Sequence, residues 1–307
     1  MKIIVTGGAG FIGSHIVDAL VSRKDQVLVI DDLSSGLEEN VPSSVKLIKM
    51  DIRDQGLAEV FSKFEPEATF HCAAQKNVRK SVDDPSYDAD VNIIGSLNVI
   101  QQCQRLNSKV IFTSTGGALY GDAQVLPTPE TYDKKPLSPY GIAKFSVEEY
   151  LRYYQSVHGL KSISLRLANV YGPRQDPKGE AGVVAIFLHK LLTGQTPIIN
   201  GDGTQTRDYV YVADVVKAAM AVLTTTLRGT YNVGTGIATS VNELYETIRH
   251  QGNFAAEATH GQALSGEQKT SCLDRQKITD ATDWQPTFTL KTGLAKTIDW
   301  FRDKYHV

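Results

Sequence analysis

Tyr140 and Lys144 are the residues of this chain whose types and spacing first suggest chemistry. They lie four positions apart, so that on a helix their side chains share one face. A free tyrosine has a pKa of about 10 and is a poor base at neutral pH, but nearby positive charge stabilises the phenolate. Lys144 and the positive end of a helix dipole are two sources of such charge. The pair therefore predicts a general base, although a tyrosine and a lysine at this spacing can also be a solvated surface pair.

The residues before Tyr140 indicate that it lies in the first turn of a helix. Ser138 is a preferred N-cap residue, and Pro139 is a preferred first helical residue. We therefore predict a helix over residues 138–158, with Tyr140 close to its positive end.

Two hydroxyl side chains could orient a substrate beside this helix. The apolar run Val110–Phe112 predicts the fifth strand of a sheet, and a Thr-Ser-Thr segment follows it. Ser114 and Thr115 can hydrogen-bond a hydroxyl group whose proton Tyr140 removes. We predict that these two residues, Tyr140 and Lys144 form a catalytic set.

A glycine-rich turn near the N-terminus predicts a phosphate site. Ile3–Val5 is a short apolar run typical of a buried parallel strand, and Gly7, Gly10 and Gly13 separate it from apolar residues at helical spacing. Glycines at such a junction let backbone N–H groups approach a pyrophosphate at the positive end of the helix, because no Cβ intervenes. An ordinary strand–helix–strand unit without a ligand is the alternative.

The second predicted strand, Val27–Ile30, ends in an acidic residue that favours the ligand-binding interpretation. Asp31 follows Gly13 by 18 positions, which is close to the spacing of the carboxylate that binds an adenosine ribose in dinucleotide folds. Asp31 and Asp32 together would repel a 2′-phosphate. The sequence thus predicts NAD rather than NADP, and the positively charged nicotinamide ring would help to stabilise a Tyr140 phenolate.

Strand and helix patterns alternate through the first half of the chain and become mixed afterwards. Such alternation predicts an α/β fold with a doubly wound parallel (Rossmann) sheet, and ligands at the carboxyl ends of its strands. Residues 1–167 are predicted to form the NAD-binding domain, with parts of 208–240 returning to it. Residues 168–307 are predicted to form mainly a smaller, mixed α/β substrate-binding domain, and the cleft between the two is the predicted substrate site.

The composition favours small molecules as partners. The chain has 307 residues and a formal net charge of −2, which argues against attraction to nucleic acid or to an anionic membrane. Its three cysteines are far apart, with no spacing typical of a zinc site or of a disulfide framework. No signal peptide or long apolar run is recognised, so we expect a cytoplasmic protein without a metal site.

Several long motifs carry a family resemblance. They are TGGAGFIG at Thr6–Gly13, DIRD at Asp51–Asp54, CAAQK at Cys72–Lys76, STGGALYG at Ser114–Gly121, SPYGIAK at Ser138–Lys144, LANVYGPRQDPKGEAGVVAIF at Leu167–Phe187, GDGTQTRDYVYVADV at Gly201–Val215 and NVGTG at Asn232–Gly236. With them the chain resembles the extended short-chain dehydrogenase/reductases, and within these the UDP-glucose (UDP-galactose) 4-epimerases. The likeness covers nearly the whole chain.

The resemblance implies binding roles for two sets of residues. The residues that would hold NAD are Gly7, Gly10, Phe11, Ile12, Gly13, Asp31, Asp32, Ser35, Gly36, Asp51, Ile52, Cys72, Ala73, Ala74, Lys76, Asn92, Thr113, Tyr140, Lys144 and Ala168. Those that would contact a UDP-sugar are Lys76, Thr115, Tyr140, Asn169, Val183, Val184, Asn200, Arg207 and Ser271. A loop-capping Asn169 and a surface Arg207 are the alternatives for those two residues.

The resemblance also implies a mechanism. Tyr140 would take the proton of the sugar 4-hydroxyl while hydride passes from C4 to NAD⁺. The 4-keto sugar would then turn about its phosphate linkage, and hydride and proton would return to its other face. Related dehydratases place an acidic residue beside the Ser/Thr, but Gly116 and Gly117 follow Thr115 here. A dehydratase or decarboxylase of nucleotide sugars and a non-catalytic NAD-binding regulator remain the alternatives.

Three further expectations rest on the resemblance alone. Similar enzymes usually bind the diphosphate with an arginine, and Leu264 occupies the aligned position here. Arg275 or Lys269 could compensate for the loss of this arginine. The small side chain of Ser271 suggests that N-acetylated sugars fit. The helices predicted over residues 85–106 and 138–158 would form the four-helix interface of a homodimer.

Overall fold

A computed structural model of the chain describes residues 1–178, 182–263 and 268–306. The strands are, in chain order, β1 (Lys2–Thr6), β2 (Gln26–Asp31), β3 (Lys46–Lys49), β4 (Ala68–His71), β5 (Lys109–Thr115), β6 (Ser162–Leu167), β7 (Asn169–Tyr171), β8 (Ile198–Asn200), β9 (Thr206–Tyr211), β10 (Gly229–Val233), β11 (Ala238–Ser240) and β12 (Thr259–Gly261).

The α-helices are α1 (Phe11–Ser22), α2 (Leu57–Phe64), α3 (Val78–Asp83), α4 (Pro85–Ala89), α5 (Gly95–Arg105), α6 (Pro139–His158), α7 (Val183–Leu192), α8 (Val212–Leu223), α9 (Val241–Gln251), α10 (Gln276–Thr282) and α11 (Leu290–Tyr305). A π-helical turn over Asp90–Ile94 joins α4 to α5. Among the described residues no helix is both long enough and apolar enough to cross a membrane.

The central sheet has seven parallel strands in the order β3-β2-β1-β4-β5-β6-β10. The strand order reverses between β1 and β4, which is the point where a doubly wound sheet opens a crevice for a ligand. Thr6 pairs in register with His71, so the segments after β1 and β4 leave the sheet side by side. The predicted Rossmann architecture is therefore confirmed.

Hydrophobic clusters cover both faces of this sheet. On one face α1 and α8 pack together, and on the other face α2, α5 and α6 bury the strands. A separate cluster joins α7, β9, α9 and α11 beside the sheet. Strand β10 belongs to the central sheet and α8 packs against α1, so parts of the chain after residue 208 return to the sheet. The division of the chain into two domains stays a prediction.

The helix predicted over residues 138–158 is α6, and the one predicted over residues 85–106 is divided by the π-helical turn. Several short elements were missed. These are β7, β11, β12, α3 and α10, of three to seven residues each. A segment this short carries too little hydrophobic periodicity to be recognised from sequence.

A buried polar network links α6 to the sheet, and nothing in the sequence analysis predicted it. The guanidinium of Arg166 on β6 donates to both carboxylate oxygens of Glu148 on α6, at 2.6–3.1 Å, and both side chains are almost fully buried. Arg166 also donates to Tyr120 Oη at 2.8 Å, and Ser114 Oγ donates to Glu148 at 2.5 Å. These partners satisfy a pair of charges that would otherwise be costly to bury.

Removing the charge of Glu148 should therefore destabilise the fold. Glu148→Gln leaves the Arg166 guanidinium buried without its counter-ion, so we expect the free energy of unfolding to fall by about 3–5 kcal/mol. Glu149→Gln is the matched control, because Glu149 pairs with Arg152 on the exposed side of the same helix. That control should change the free energy by less than about 1 kcal/mol. Equal urea midpoints for the two variants would contradict the assigned role.

Candidate active site

The glycine turn after β1 has the geometry that a phosphate site requires. Gly7 has a φ of +69°, and a Cβ there would lie 2.5 Å from the backbone nitrogen of Ala73. A Cβ on Gly13 would overlap the carbonyl oxygen of Gly7. Helix α1 begins at Phe11 without a side-chain cap, so its first backbone N–H groups remain available to an anion. Ile12 lies in this first turn as well.

Asp31 lies at the end of β2, beside the glycine turn. Its carboxylate accepts hydrogen bonds from the backbone N–H groups of Ala9 and Leu33, each at 2.9 Å. Burial raises the pKa of Asp31, while these N–H groups oppose the shift. Gly36 packs against the same carboxylate, since a Cβ there would lie 2.9 Å from Asp31 Oδ1. The arrangement leaves lone pairs of Asp31 for a ribose, as expected for a dinucleotide site.

Asp32 and Ser35 are exposed next to Asp31. The carboxylate of Asp32 accepts from the backbone and the hydroxyl of Ser34, so it closes a turn in the loop. Just after β3, the carboxylate of Asp51 accepts a hydrogen bond from the guanidinium of Arg53. This bond holds the pKa of the Asp51 carboxyl below its usual range. Ile52 beside it is buried against Gly95.

The segment after β4 places Cys72, Ala73, Ala74 and Lys76 at the same edge. Burial raises the pKa of the Cys72 thiol to about 12. Asn92, in the π-helical turn, accepts from the backbone N–H of Gln75 and donates to its carbonyl, both at 2.9 Å. The amide of Asn92 therefore holds this segment in place, and its predicted contact with the cofactor stays a prediction.

Tyr140 and Lys144 lie together at the start of α6, as predicted. The Nζ of Lys144 is 5.9 Å from the centre of the Tyr140 ring and donates to the carbonyl of Thr113 at 3.0 Å. Lys144 is almost fully buried, which lowers its pKa to about 8. Ser138 caps the helix, with its Oγ accepting from the N–H of Gly141 at 3.2 Å.

The effect of the chain on Tyr140 is opposite to the one expected from sequence. Burial raises the pKa of its phenol, and the charge of Asp88 raises it further. The chain alone therefore does not lower this pKa. The prediction of a Tyr140 base also counts on the positively charged nicotinamide ring, and it stays a prediction.

Thr115 and Ser114 differ in where their side chains lie. Thr115 is half-buried at the end of β5, where its Oγ1 accepts from the N–H of Ala118 at 3.1 Å. Ser114 is buried on the opposite face of the strand and donates to Glu148. The structure therefore removes Ser114 from the predicted catalytic set, because its hydroxyl is committed to the buried network.

The turn after Thr115 has no room for a larger side chain at its first position. A Cβ on Gly116 would overlap the side chain of Leu273. Gly117 lies beside Asn169, whose Oδ1 would be 3.3 Å from a Cβ at this glycine. The amide of Asn169 therefore lies next to the turn that follows β5, and its role in substrate binding stays a prediction.

The remaining predicted binding residues follow β6 in the chain, Ala168 for the cofactor and the others for the substrate. Ala168 follows β6, and its N–H donates to Val233 O. Val183 and Val184 begin α7, which has no side-chain cap, and Val184 is buried so that only its backbone can face a ligand. Asn200 ends β8.

Arg207 is a partly buried residue of β9, and it donates to the carbonyl of Thr206. Ser271 is buried on the segment before α10. Arg275 donates to the carbonyl of Thr235, so its guanidinium is at least partly committed within the chain. Leu264 lies outside the described residues.

Three side chains at this edge were missed by the sequence analysis. Ser81 on α3 accepts from the N–H of Tyr140 at 3.2 Å. The side chain of Gln75 donates to Asp88 at 2.9 Å, and Asp88 also receives the amide of Asn92. The i, i+4 spacing of Asp88 and Asn92 was a signal that could have found this contact.

Comparison with known proteins gives one consistent result. The UDP-glucose 4-epimerase of Mycolicibacterium smegmatis is 42% identical over 311 residues, which cover 99% of this chain and 99% of that protein. The UDP-glucose 4-epimerase of Thermotoga maritima, solved with UDP-glucose, has a TM-score of 0.97 and 45% identity, covering 99% of both chains. That of Thermus thermophilus, solved with NAD, has a TM-score of 0.94 and 42% identity, covering 98% of this chain and 99% of that one.

Residues 3–234 match the model of one protein family, and this range includes the central sheet, the glycine turn and the helix that carries Tyr140 and Lys144. The chain therefore belongs to the NAD dependent epimerase/dehydratase family.

Proposed function

We propose that this protein interconverts UDP-glucose and UDP-galactose by transient oxidation of the sugar at C4, using bound NAD. The observation that carries the proposal is the meeting of Tyr140, Lys144 and Thr115 at the edge of the sheet where the glycine turn also lies. Relatives named UDP-glucose 4-epimerase, similar over the full chain, support it.

The residues present fit NAD. The turn around Gly7 and the uncapped start of α1 can receive the pyrophosphate, and Asp31 has acceptor capacity for the adenosine ribose. Lys144 would reach the nicotinamide ribose from α6. When bound, NAD⁺ supplies the oxidant for C4 of the sugar and a positive charge that opposes the raised pKa of Tyr140.

Tyr140 Oη is the proposed acceptor of the proton from the 4-hydroxyl, and it returns this proton after the sugar has turned. Thr115 Oγ1 would hold the same hydroxyl in position, since its side chain lies at the end of β5 rather than in the core. The backbone of Tyr140 is fixed by Ser81 and by the Ser138 cap. The phenol of Tyr140 would therefore stay in place while the sugar turns, and it could exchange a proton with the 4-oxygen in both orientations.

The turn after Thr115 favours epimerisation over dehydration. Gly116 and Gly117 carry no acid or base that could assist the elimination of water, and Gly116 lies close against the side chain of Leu273. A non-catalytic NAD-binding regulator is the less favoured alternative, because such a protein has no need for Thr115, Tyr140 and Lys144 together.

The diphosphate of the substrate is proposed to bind between the start of α7 and Arg207. The uncapped N–H groups at Val183 and Val184 and a guanidinium are both suited to phosphate oxygens. Small Ser271, buried near the site, supports acceptance of N-acetylated sugars. The three cysteines are free, which supports the proposed cytoplasmic location. The proposed role in galactose metabolism follows from the proposed reaction alone.

A product assay tests the proposed activity directly. The purified protein, incubated with UDP-glucose and no added NAD, should form UDP-galactose, because the cofactor is regenerated in each turnover and stays bound. A parallel incubation with UDP-N-acetylglucosamine tests the role of Ser271. A stable 4-keto-6-deoxy or pentose product would instead identify a dehydratase or decarboxylase.

Adjacent hydroxyls of β5 provide a matched pair of variants. Thr115→Ala should lower kcat by roughly one to two orders of magnitude, because the substrate hydroxyl loses a positioning partner. Ser114→Ala should leave kcat within about threefold and lower the thermal midpoint instead, since its hydroxyl only serves Glu148. The reverse pattern would restore Ser114 to the catalytic set.

We also propose that the protein is a homodimer formed by α6 and the helices before it. Four apolar or aromatic side chains of α6 are 40–60% exposed to solvent: Ile142, Tyr150, Tyr153 and Val157. Ile94, in the π-helical turn, is 55% exposed. Such a run of apolar side chains on a soluble surface is typical of a protein interface.

Disrupting this surface should yield monomers. Tyr153→Glu places a charge in the centre of the proposed interface, so the sedimentation coefficient should fall to that of one chain. Ile198→Glu, which replaces an equally exposed apolar residue on β8, is the control and should remain dimeric. Monomeric wild-type protein at micromolar concentration would refute the proposed dimer.

A further inference from the structure

The loop that leaves β7, residues 172–178, is bound to helix α1 by two side chains of that helix. His15 Nε2 donates to the carbonyl of Pro173 at 3.0 Å. The carboxylate of Asp18 forms an ion pair with the guanidinium of Arg174 at 2.8 Å. His15 and Asp18 are three positions apart, so they lie on one face of α1. The loop is therefore fixed along the helix whose start is the proposed pyrophosphate site.

Arg174 has a backbone conformation that is unfavourable for any residue with a side chain. Its φ is +66°, in the left-handed region that glycine adopts without strain. The ion pair with Asp18 is partly exposed, since 25% of the Arg174 side chain and 38% of the Asp18 side chain are accessible to solvent. Such pairs contribute little to stability. The ion pair therefore does not explain the strained arginine by stability alone, and strain of this kind indicates a functional role.

The same loop reaches the start of α7, where the substrate diphosphate is proposed to bind. The side chain of Gln175 donates to the carbonyl of Val170 at 2.9 Å, which ties the loop back to β7. Gln175 also packs against Gly182, where a Cβ would lie 2.9 Å from the amide carbon of Gln175. Gly182 is the N-cap residue of α7. A displacement of the loop at Arg174 would therefore be felt at the start of α7.

The starts of α1 and α7 share one hydrophobic cluster. Phe11, the first residue of α1, and Val183, the first residue of α7, both pack against the buried residues of this cluster, which include Val184. The ring of Phe11 also meets the ring of His15 edge-on, with the ring centres 6.0 Å apart. The loop and this cluster thus join the two helix starts at which the phosphate groups of cofactor and substrate are proposed to bind.

We infer that Arg174 is a positioning residue for the substrate, which preorganises the diphosphate site at the start of α7 by holding the loop against Asp18 of the cofactor helix. The inference rests on the proposed function. A site that is already in place loses less free energy when it binds a ligand than one that must first be ordered. Arg174 would act through the loop and through Gln175, without touching the diphosphate itself.

Arg174→Gly separates this role from a structural one. Glycine adopts the observed φ without strain but is more flexible in the unfolded chain, so the thermal midpoint should stay within about 3 °C. Loss of the contact with Asp18 should raise the KM for UDP-glucose about fivefold and leave kcat within about threefold, because the site is ordered again once substrate is bound.

Lys24→Gly is the matched control for Arg174→Gly. Lys24 also has a left-handed backbone, with a φ of +64°, but it is exposed and follows the other end of α1. Its replacement makes the same backbone change without touching the loop, so the KM should not change. An equal increase of KM in the two variants would overturn the inference.

Charge reversal tests the ion pair itself. Arg174→Asp and Asp18→Arg should each raise the KM, because each variant places two like charges together. The double variant restores an ion pair of opposite polarity, and aspartate is among the residues that tolerate a positive φ. Its KM should therefore return to within about twofold of the wild-type value. A double variant without any recovery would contradict a role that depends on this contact.

Binding of UDP gives a readout that does not depend on turnover. In calorimetric titrations of the NAD-containing protein with UDP, Arg174→Gly should raise the Kd about fivefold, and Lys24→Gly should leave it unchanged. An unchanged Kd in both variants would overturn the inference. If the wild type binds UDP but does not epimerise UDP-glucose, and the Kd still rises in Arg174→Gly, the proposed reaction is wrong and the positioning role of Arg174 stands.

Discussion

The hydrogen bond from Lys144 to the carbonyl of Thr113 is the contact on which the geometry of the site depends. An ammonium group that is almost fully buried must find an acceptor, and the backbone of β5 supplies one at 3.0 Å. The bond ties the first turns of α6 to the strand that ends in Thr115. Because Tyr140 lies one turn before Lys144, the same bond sets the distance between the phenol and the end of the strand.

Much of this arrangement could be read from the sequence, since it rests on local rules. The turn around Gly7, the carboxylate at Asp31 and the start of α6 each follow from short-range spacing, and the structure confirms their places. Ser114 was misplaced although a local rule was available. Successive side chains of a strand point to opposite faces, so Ser114 and Thr115 cannot both face the substrate. Asp88 was missed although its i, i+4 spacing to Asn92 was a local signal, whereas its contact with Gln75, 13 residues away in the chain, gave none.

Other parts of the site depend on contacts between distant segments, which sequence patterns do not reveal. The buried carboxylate of Asp208 on β9 accepts from the N–H groups of Thr235 and Gly236, and it also receives the N–H of Leu273 at 3.3 Å. Leu273 then packs against Gly116. Three segments more than 25 residues apart thus meet at the turn that follows Thr115. The two glycines beside Thr115 are visible in the sequence, but the close packing of Leu273 against Gly116 is not.

The charged groups near the site are held by fixed partners rather than by solvent. Asp31 is bound by backbone N–H groups, Glu148 by Arg166, and Lys144 by a strand carbonyl. These partners are fixed when the chain folds, so little reorganisation is needed when a proton moves nearby. Burial alone would make the phenol a weaker acid than free tyrosine. The positive charge of bound NAD⁺ would oppose this effect, which would couple proton transfer from the sugar to the oxidised state of the cofactor.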